Sequence, residues 1–310
     1  MRRVLGLEQL GEPLARSVVT IGKFFAIHRG HQELLRRTAE TARRQRASSV
    51  VLTFDRHPIE LLRPGTQVPV LAGLEERLEL IERFGIEIAL VIPLTPEFLS
   101  QEPEAFVREI LVRQLGAVEV LAGANFRFGR GARGDLDLLR GIGSELGFTV
   151  TAVEPVLEGG HPISSSRVAA CLEEGCVASA ERLLGRPYSV PGEVVAGEQV
   201  GRRLGFPTAN IRVPTERMLP ADGVYVAQVR LPGHPAPVPA AVNLGVRPTR
   251  DGTRRVLEAH LLDWSGDLYG QRVQVEFLQR LRGEQRFADL DSLRAQIARD
   301  VQAAREHFER

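Results

Sequence analysis

From its start to about Gly185 the chain switches repeatedly between two periodicities, and no other feature restricts its fold so strongly. The runs SVVTIG, ASSVVLTF, IEIALVIPL, VEVLAGANF and FTVTAVEPV are rich in β-branched residues. Between them lie HQELLRRTAETARRQR, LEERLELIERFG, PEAFVREILVRQLG and GDLDLLRGIGSELG, whose apolar residues recur at helical spacing. Apolar strands that alternate with helices of this length predict βαβ units, and so a parallel sheet covered on both faces: a doubly wound α/β domain. Two further short helices, SSRVAACLEEG and VASAERLLG, are expected to close this unit.

Beyond Pro187 the texture changes. YSVPGEVVAG, GVYVAQVRL, VPAAVNLG, RRVLEAHLLD and QRVQVEFLQRL are short strand-like runs punctuated by Gly, Pro and Asp. They predict an antiparallel β-barrel, with LPGHPAPVPA as a surface hairpin loop. The chain then closes with an amphipathic helix whose Leu290, Leu293, Ile297, Val301 and Phe308 lie near one stripe. Two domains are therefore expected, 1–186 and 187–310.

Composition enters mainly by exclusion. Forty Lys and Arg against thirty-nine Asp and Glu leave no basic excess of the kind a nucleic-acid partner needs. The longest apolar stretch, around Ile86–Leu94, is too short to cross a bilayer, so no membrane partner is expected. The start, MRRVLGLEQLGEPLARS, lacks the apolar run of a secretory signal, which makes the cytoplasm the expected compartment. Cys171 and Cys176, without a second pair or a histidine cluster, suggest two buried thiols rather than a zinc site.

The first chemical signal is TIGKFFAIHRGHQELL, Thr20–Leu35, at a strand end and helix start. His28 and His31 are three residues apart and so share a helix face. Free amides of the first turn, Gly30 between the histidines and Lys23 in the loop suit a polyphosphate. Taken alone, the pair reads more often as capping or surface histidines. Downstream, Ser164, Ser165, Ser166 and Arg167 open another helix, either as a phosphate cradle or as simple capping residues. Gly129, Gly131 and Gly134 match G-x-G-x-x-G. They follow a late strand among two Phe and three Arg, which argues against a dinucleotide fold.

Gly22, the short loop and His28-Arg29-Gly30-His31 resemble the H-x-G-H signature of the nucleotidyltransferase superfamily. PISSSRV resembles its ATP-phosphate segment, with Ser166 replacing Thr. TFDRHPIE (Phe54, Pro58) and GANFRFGRGARGD (Asn125, Phe126, Phe128) resemble flavin-side motifs of bacterial FAD synthetases. In the second half, GEVVAGEQVGRRLGFPTANI resembles the riboflavin kinase signature. There Gly197, Gly201 and Gly205 form a flap over nucleotide phosphates, leading into Pro207-Thr208-Ala209-Asn210. Thr208 and Asn210 offer neutral oxygens to Mg²⁺. LEAHLLD places Glu258 where that family has its glutamate, flanked by AAVNLGVRPT, LYG and LRGEQRF.

These motifs run in family order from Thr20 to Phe287, and together they resemble the bifunctional riboflavin kinase/FMN adenylyltransferase family. The resemblance implies His28, His31 and Glu258 as catalytic residues. Gly22, Lys23, Gly30 and Ser164–Arg167 would then hold the ATP of the adenylyltransferase, and ATP and Mg²⁺ would serve both steps. Riboflavin and FMN are the implied substrates, FMN and FAD the products. One departure stands out. Phe24-Phe25-Ala26 occupies the place of Phe-Asp-Gly, and an Ala in a left-handed conformation would cost about 1 kcal/mol. The alternative is therefore a riboflavin kinase alone, its N-terminal domain kept as a structural or regulatory module.

Overall fold

Alternation along single strands explains the first unit. On the strand Ser17–Ile21, Val18 faces one apolar cluster, with Leu34, Leu35 and Ile81. Val19 and Ile21 face another, with Leu52, Leu90 and Leu111. Each fully buried side chain of this kind contributes about 1.5–3 kcal/mol, so a strand with two buried faces demands helices on both. The computed structural model describes residues 1–63, 65–66, 68–197, 200–249 and 252–309. Glu198 and Gln199 of the glycine-rich loop, and Arg310 at the end of the second expected domain, lie outside the described residues.

In chain order the first unit runs β1 (Arg2–Leu5), β2 (Ser17–Ile21), α1 (Arg29–Gln45), β3 (Ser48–Phe54), α2 (Pro58–Leu62) and α3 (Leu74–Glu82). Then follow β4 (Ile88–Ile92), α4 (Pro96–Leu99), α5 (Pro103–Phe106), β5 (Ala117–Gly123), α6 (Leu136–Leu146), β6 (Thr149–Val153), β7 (Leu157–Glu158) and β8 (His161–Pro162). Strands β1–β6 make one all-parallel sheet of order β1-β4-β3-β2-β5-β6, as a doubly wound domain requires. The edge strand β1 has no signature in the sequence: only Val4 of Arg2–Leu5 is buried, so no period of two is visible.

α7 (Ser165–Glu173) and α8 (Val177–Leu184) come next, followed by β9 (Tyr188–Val195), α9 (Val200–Arg203), β10 (Ala209–Arg212) and β11 (Gly223–Arg230). The chain ends with β12 (Val238–Thr249), β13 (Gly252–Leu261), β14 (Arg272–Arg282) and α10 (Leu290–Phe308). Strands β9–β14 close an antiparallel barrel of order β10-β13-β12-β11-β14-β9. The chain divides into two compact units, Met1–Ser165 and Ser166–Arg310, so α8 packs on β14 and β9 of the second. α10 covers the outer face of β11 and β12, where Val301 and Ala304 meet Val226 and Ala241.

One expectation is corrected. Cys171 is only half-buried and Cys176 is exposed. The end of α7 is the reason: Gly175 (φ 75°) turns left-handed, its N–H donates to Leu172 O, and the N–H of Cys176 donates to Cys171 O at 2.7 Å. That Schellman cap carries the chain to the surface before α8 begins.

Candidate active sites

The sheet order makes β2 and β5 neighbours, although the chain leaves β2 towards β3 and returns to β5 on the other side. At such a switch point the two connecting loops diverge and leave a crevice at the strand ends. The loop after β2 carries Gly22, Lys23 and His28, and Gly30 lies in the first turn of α1. The loop after β5 carries Asn125, Phe126 and Phe128.

His28 is the N-cap of α1, its Nδ1 accepting the N–H of His31 at 3.3 Å. The two imidazoles stack, with centroids 3.7 Å apart and planes 15° apart, and the ring of Phe24 lies 5.1 Å from His31. Burial, and next the neighbouring His28, hold the pKa of His31 well below the usual value, so at neutral pH it is an uncharged imidazole. Its Nδ1 has no hydrogen-bond partner among the described residues. A Cβ at Gly30 would stand 3.2 Å from the His28 ring, so glycine leaves that imidazole room at the helix start.

The loop departs from expectation at Ala26, which does not have a positive φ. Left-handed conformations fall instead on Phe24 (φ 52°) and Ile27 (φ 44°), with both side chains fully buried. Such residues cost on the order of 1–3 kcal/mol each and persist where their surroundings over-determine them; here the buried rings and methyls supply that anchor. Ala26 therefore carries none of the left-handed strain expected of it.

Phe54 and Phe126 are half-buried at the rim, Pro58 starts α2 and Asn125 is exposed. Phe128 lies in the core and stacks behind Phe126 (5.4 Å, 13°). Phe54, Phe98, Phe106, Phe128 and Phe126 form a continuous series of ring contacts running from the β3 end to the β5 end. Ser164 stands just before α7, Ser165 begins it, and Ser166 and Arg167 occupy its first turn. An ion pair between Arg29 and Glu158 (2.7 Å) ties the β7–β8 pair to the start of α1, only a few residues ahead of Ser164. Neither partner was visible as a site residue in the sequence.

In the barrel, Glu258 on β13 is directly opposite Asn210 on β10 and Asn243 on β12, which puts all three side chains on one face. Thr208, Asn243 and Glu258 line a cavity of about 380 Å³, walled by Phe206 and by Leu293, Ile297 and Val301 of α10. A second cavity, about 560 Å³, is lined by Arg202, Asp263, Trp264 and Tyr269, and it shares Thr208 and His260 with the first. Both volumes suit small-molecule ligands. His260 Nδ1 meets Pro207 O at 2.8 Å, and because a carbonyl only accepts, the ring must carry its proton there.

The glycines matter for space. A Cβ at Gly197 would sit 2.2 Å from the Asn210 amide nitrogen. One at Gly201 would sit 2.5 Å from Phe206 O and 3.1 Å from Thr208 Oγ1. Gly205 (φ 90°) is exposed, with nothing near its absent Cβ. Among the described residues no cluster of three or more His, Cys, Asp or Glu is arranged to hold a metal. Two neutral oxygens beside one carboxylate fit an ion carried largely by substrate phosphates and water, as Mg²⁺ is. Sequence reasoning passed over Asn243, because its pairing with Glu258 exists only in the folded register.

Comparison with known proteins accords with both halves. A family model described as FAD synthetase matches residues 11–167, and one described as riboflavin kinase matches 184–308. The bifunctional riboflavin kinase/FMN adenylyltransferase of Escherichia coli K12 is 40% identical over 310 residues, covering 99% of this chain and 98% of the relative. That of Haemophilus influenzae is 32% identical over 308 residues, covering 99% of each. A solved structure described as a macrolide-efflux protein from Streptococcus pneumoniae superposes with a TM-score of 0.90 at 30% identity, covering 98% of this chain and 99% of that one. Among the described residues no helix is long and apolar enough to cross a membrane.

Proposed function

The chain belongs to the family of bifunctional riboflavin kinase/FMN adenylyltransferases, and on that footing we propose how its residues divide the two reactions. It phosphorylates riboflavin to FMN and adenylylates FMN to FAD with release of pyrophosphate, using ATP in both steps. We assign phosphorylation to residues 187–310 and adenylylation to 1–186. The segment Ser164–Arg167 is counted with adenylylation on its sequence resemblance.

For phosphorylation the supporting observation is the pair of cavities that share Thr208, with Glu258 in only one of them. Riboflavin takes the cavity beside α10, its ring system against Phe206, Leu293 and Ile297. The nucleotide takes the other, bordered by Arg202 and Pro207 of the loop that bears Gly197, Gly201 and Gly205. Glu258 accepts the proton of the attacking hydroxyl as the new O–P bond forms and ADP leaves. Thr208 and Asn210 would hold Mg²⁺, which neutralises phosphate charge when bound.

For adenylylation the FMN phosphate attacks the α-phosphorus of ATP and pyrophosphate departs. His28, His31, Lys23 and the first-turn amides of α1 around Gly30 stabilise the charge that accumulates on phosphate oxygens. A neutral His31 does so as a hydrogen-bond donor, not as a cation. Gly22 belongs to the ATP site, Ser164–Arg167 are counted with it on their sequence resemblance alone, and Phe54, Pro58, Asn125 and Phe126, with Phe128 behind, receive the flavin. We assign the enzyme to the cytoplasm, a compartment in which free thiols such as Cys171 and Cys176 persist.

The test is chromatographic separation of FMN and FAD after incubation with ATP and Mg²⁺. Glu258→Gln abolishes FMN formation from riboflavin and leaves conversion of supplied FMN to FAD; a His28→Ala, His31→Ala chain does the reverse. Undiminished phosphorylation by the Glu258 variant would refute its role.

A further inference from the structure

Among the described residues Arg77, in the first turn of α3, is the largest side chain buried to within 2% of full enclosure, and it is a cation. Its Nη1 donates to Lys23 O at 3.0 Å. Its Nη2 donates to Phe54 O at 3.0 Å and, more weakly, to Asp55 O at 3.4 Å. Lys23 lies in the loop that leads to His28 and His31, and Phe54 opens the loop that leads to Pro58. One side chain from a third element thus bonds both loops. Thr53 Oγ1 adds a bond to the same Lys23 carbonyl at 3.1 Å.

A guanidinium held by backbone carbonyls needs something to offset its lost hydration. The carboxylate of Asp55 is engaged elsewhere, one oxygen accepting Leu94 N–H (2.9 Å) and the other paired with Arg56 (3.2 Å). The cover is aromatic: the Arg77 guanidinium stands 4.7 Å from the centroid of Phe25, whose ring lies 5.1 Å from that of His57. An aromatic face at that distance attracts a cation. Burial lowers the pKa of Arg77 to about 10, with Asp55 opposing, so it keeps its charge at neutral pH.

We propose that Arg77 is a positioning residue for adenylyl transfer. Through the Lys23 and Phe54 carbonyls it sets the spacing between the loop presenting the histidine pair and the loop presenting Phe54 and Pro58, and Phe25 covers its charge. The proposal rests on reading those loops as the ATP and flavin loops. It also accounts for Phe25. Where the related motif carries an acidic residue, this chain presents a π face to a buried cation.

The full-length chain supplies its own control, because riboflavin phosphorylation is measured on the same molecules. Arg77→Lys keeps a charge but loses the forked reach to two carbonyls. Phe25→Leu keeps an apolar side chain but loses the π face. Each is expected to lower kcat/KM for adenylylation of supplied FMN by about 10- to 100-fold, the scale on which small misplacements act. KM should rise for both ATP and FMN, with phosphorylation unchanged. Phe25→Tyr, which keeps the ring, should retain adenylylation within about threefold, given the size of a cation–π contact. Unchanged adenylylation in both Arg77→Lys and Phe25→Leu overturns the proposal, as does a proportional loss of both activities. FAD formation surviving in the His28→Ala, His31→Ala chain overturns the loop reading beneath it, an outcome separate from either Arg77 result.

Discussion

His31 shows how much a single residue's surroundings decide. In the sequence it is one of seven histidines with an ordinary pKa. In the structure it is stacked on His28, and burial makes it hard to protonate. His57, the N-cap of α2, is likewise lowered, to about 4, by burial and then by Lys23. Both groups are neutral when folded and take up a proton near pH 6.5 when unfolded. The unfolded chain therefore binds more protons below that value, and stability rises with pH across the window from about 4 to 6.5. Urea unfolding of the first unit should accordingly show lower stability at pH 5 than at pH 7. His31→Gln and His57→Gln should each flatten that slope; a slope unchanged in both variants would contradict the assignment.

The helix starts and the glycine-rich loop are where local sequence and function meet. α1 begins at His28 because a histidine nitrogen can accept the N–H that a helix start leaves open. Its buried Leu34, Leu35, Thr38, Ala39 and Ala42 follow the stripe that the sequence displays. Both were legible in advance. The loop before β10 was legible as a glycine-rich flap, but not as a space-clearing device over Thr208 and Asn210. Gly201→Ala should press a methyl against Phe206 O and Thr208 Oγ1. We expect its KM for ATP in phosphorylation to rise about tenfold or more, consistent with the roughly 1–3 kcal/mol typical of overpacking. Adenylylation of supplied FMN should stay at its original rate, measured in the same preparation.

Each half of the molecule has a core of its own: the two faces of the parallel sheet in one unit, the barrel and its α10 seam in the other. Each proposed reaction also draws its catalytic groups from one unit, His28 and His31 from the first and Glu258 from the second. The two activities should therefore complement in trans. A mixture of the Glu258→Gln chain with the His28→Ala, His31→Ala chain should convert riboflavin to FAD, although neither does so alone. Failure of the mixture, with both single activities intact, would mean that FMN does not leave the chain that makes it.

The sequence by itself determined the two architectures and the order of nearly all their elements, and it singled out the histidine pair, Thr208, Asn210 and Glu258 as candidates. These are written in local periodicity and contiguous motifs, which survive without tertiary contacts. Only the folded structure decided what depends on residues far apart in the chain. It set Glu258 between Asn210 and Asn243, opened two cavities on a shared Thr208, and shifted loop strain from Ala26 to Phe24 and Ile27. It also buried Arg77, one charged residue in an ordinary amphipathic helix, against Phe25. Strand register, burial and the approach of a side chain to a distant carbonyl arise from packing, and no short stretch of sequence encodes them.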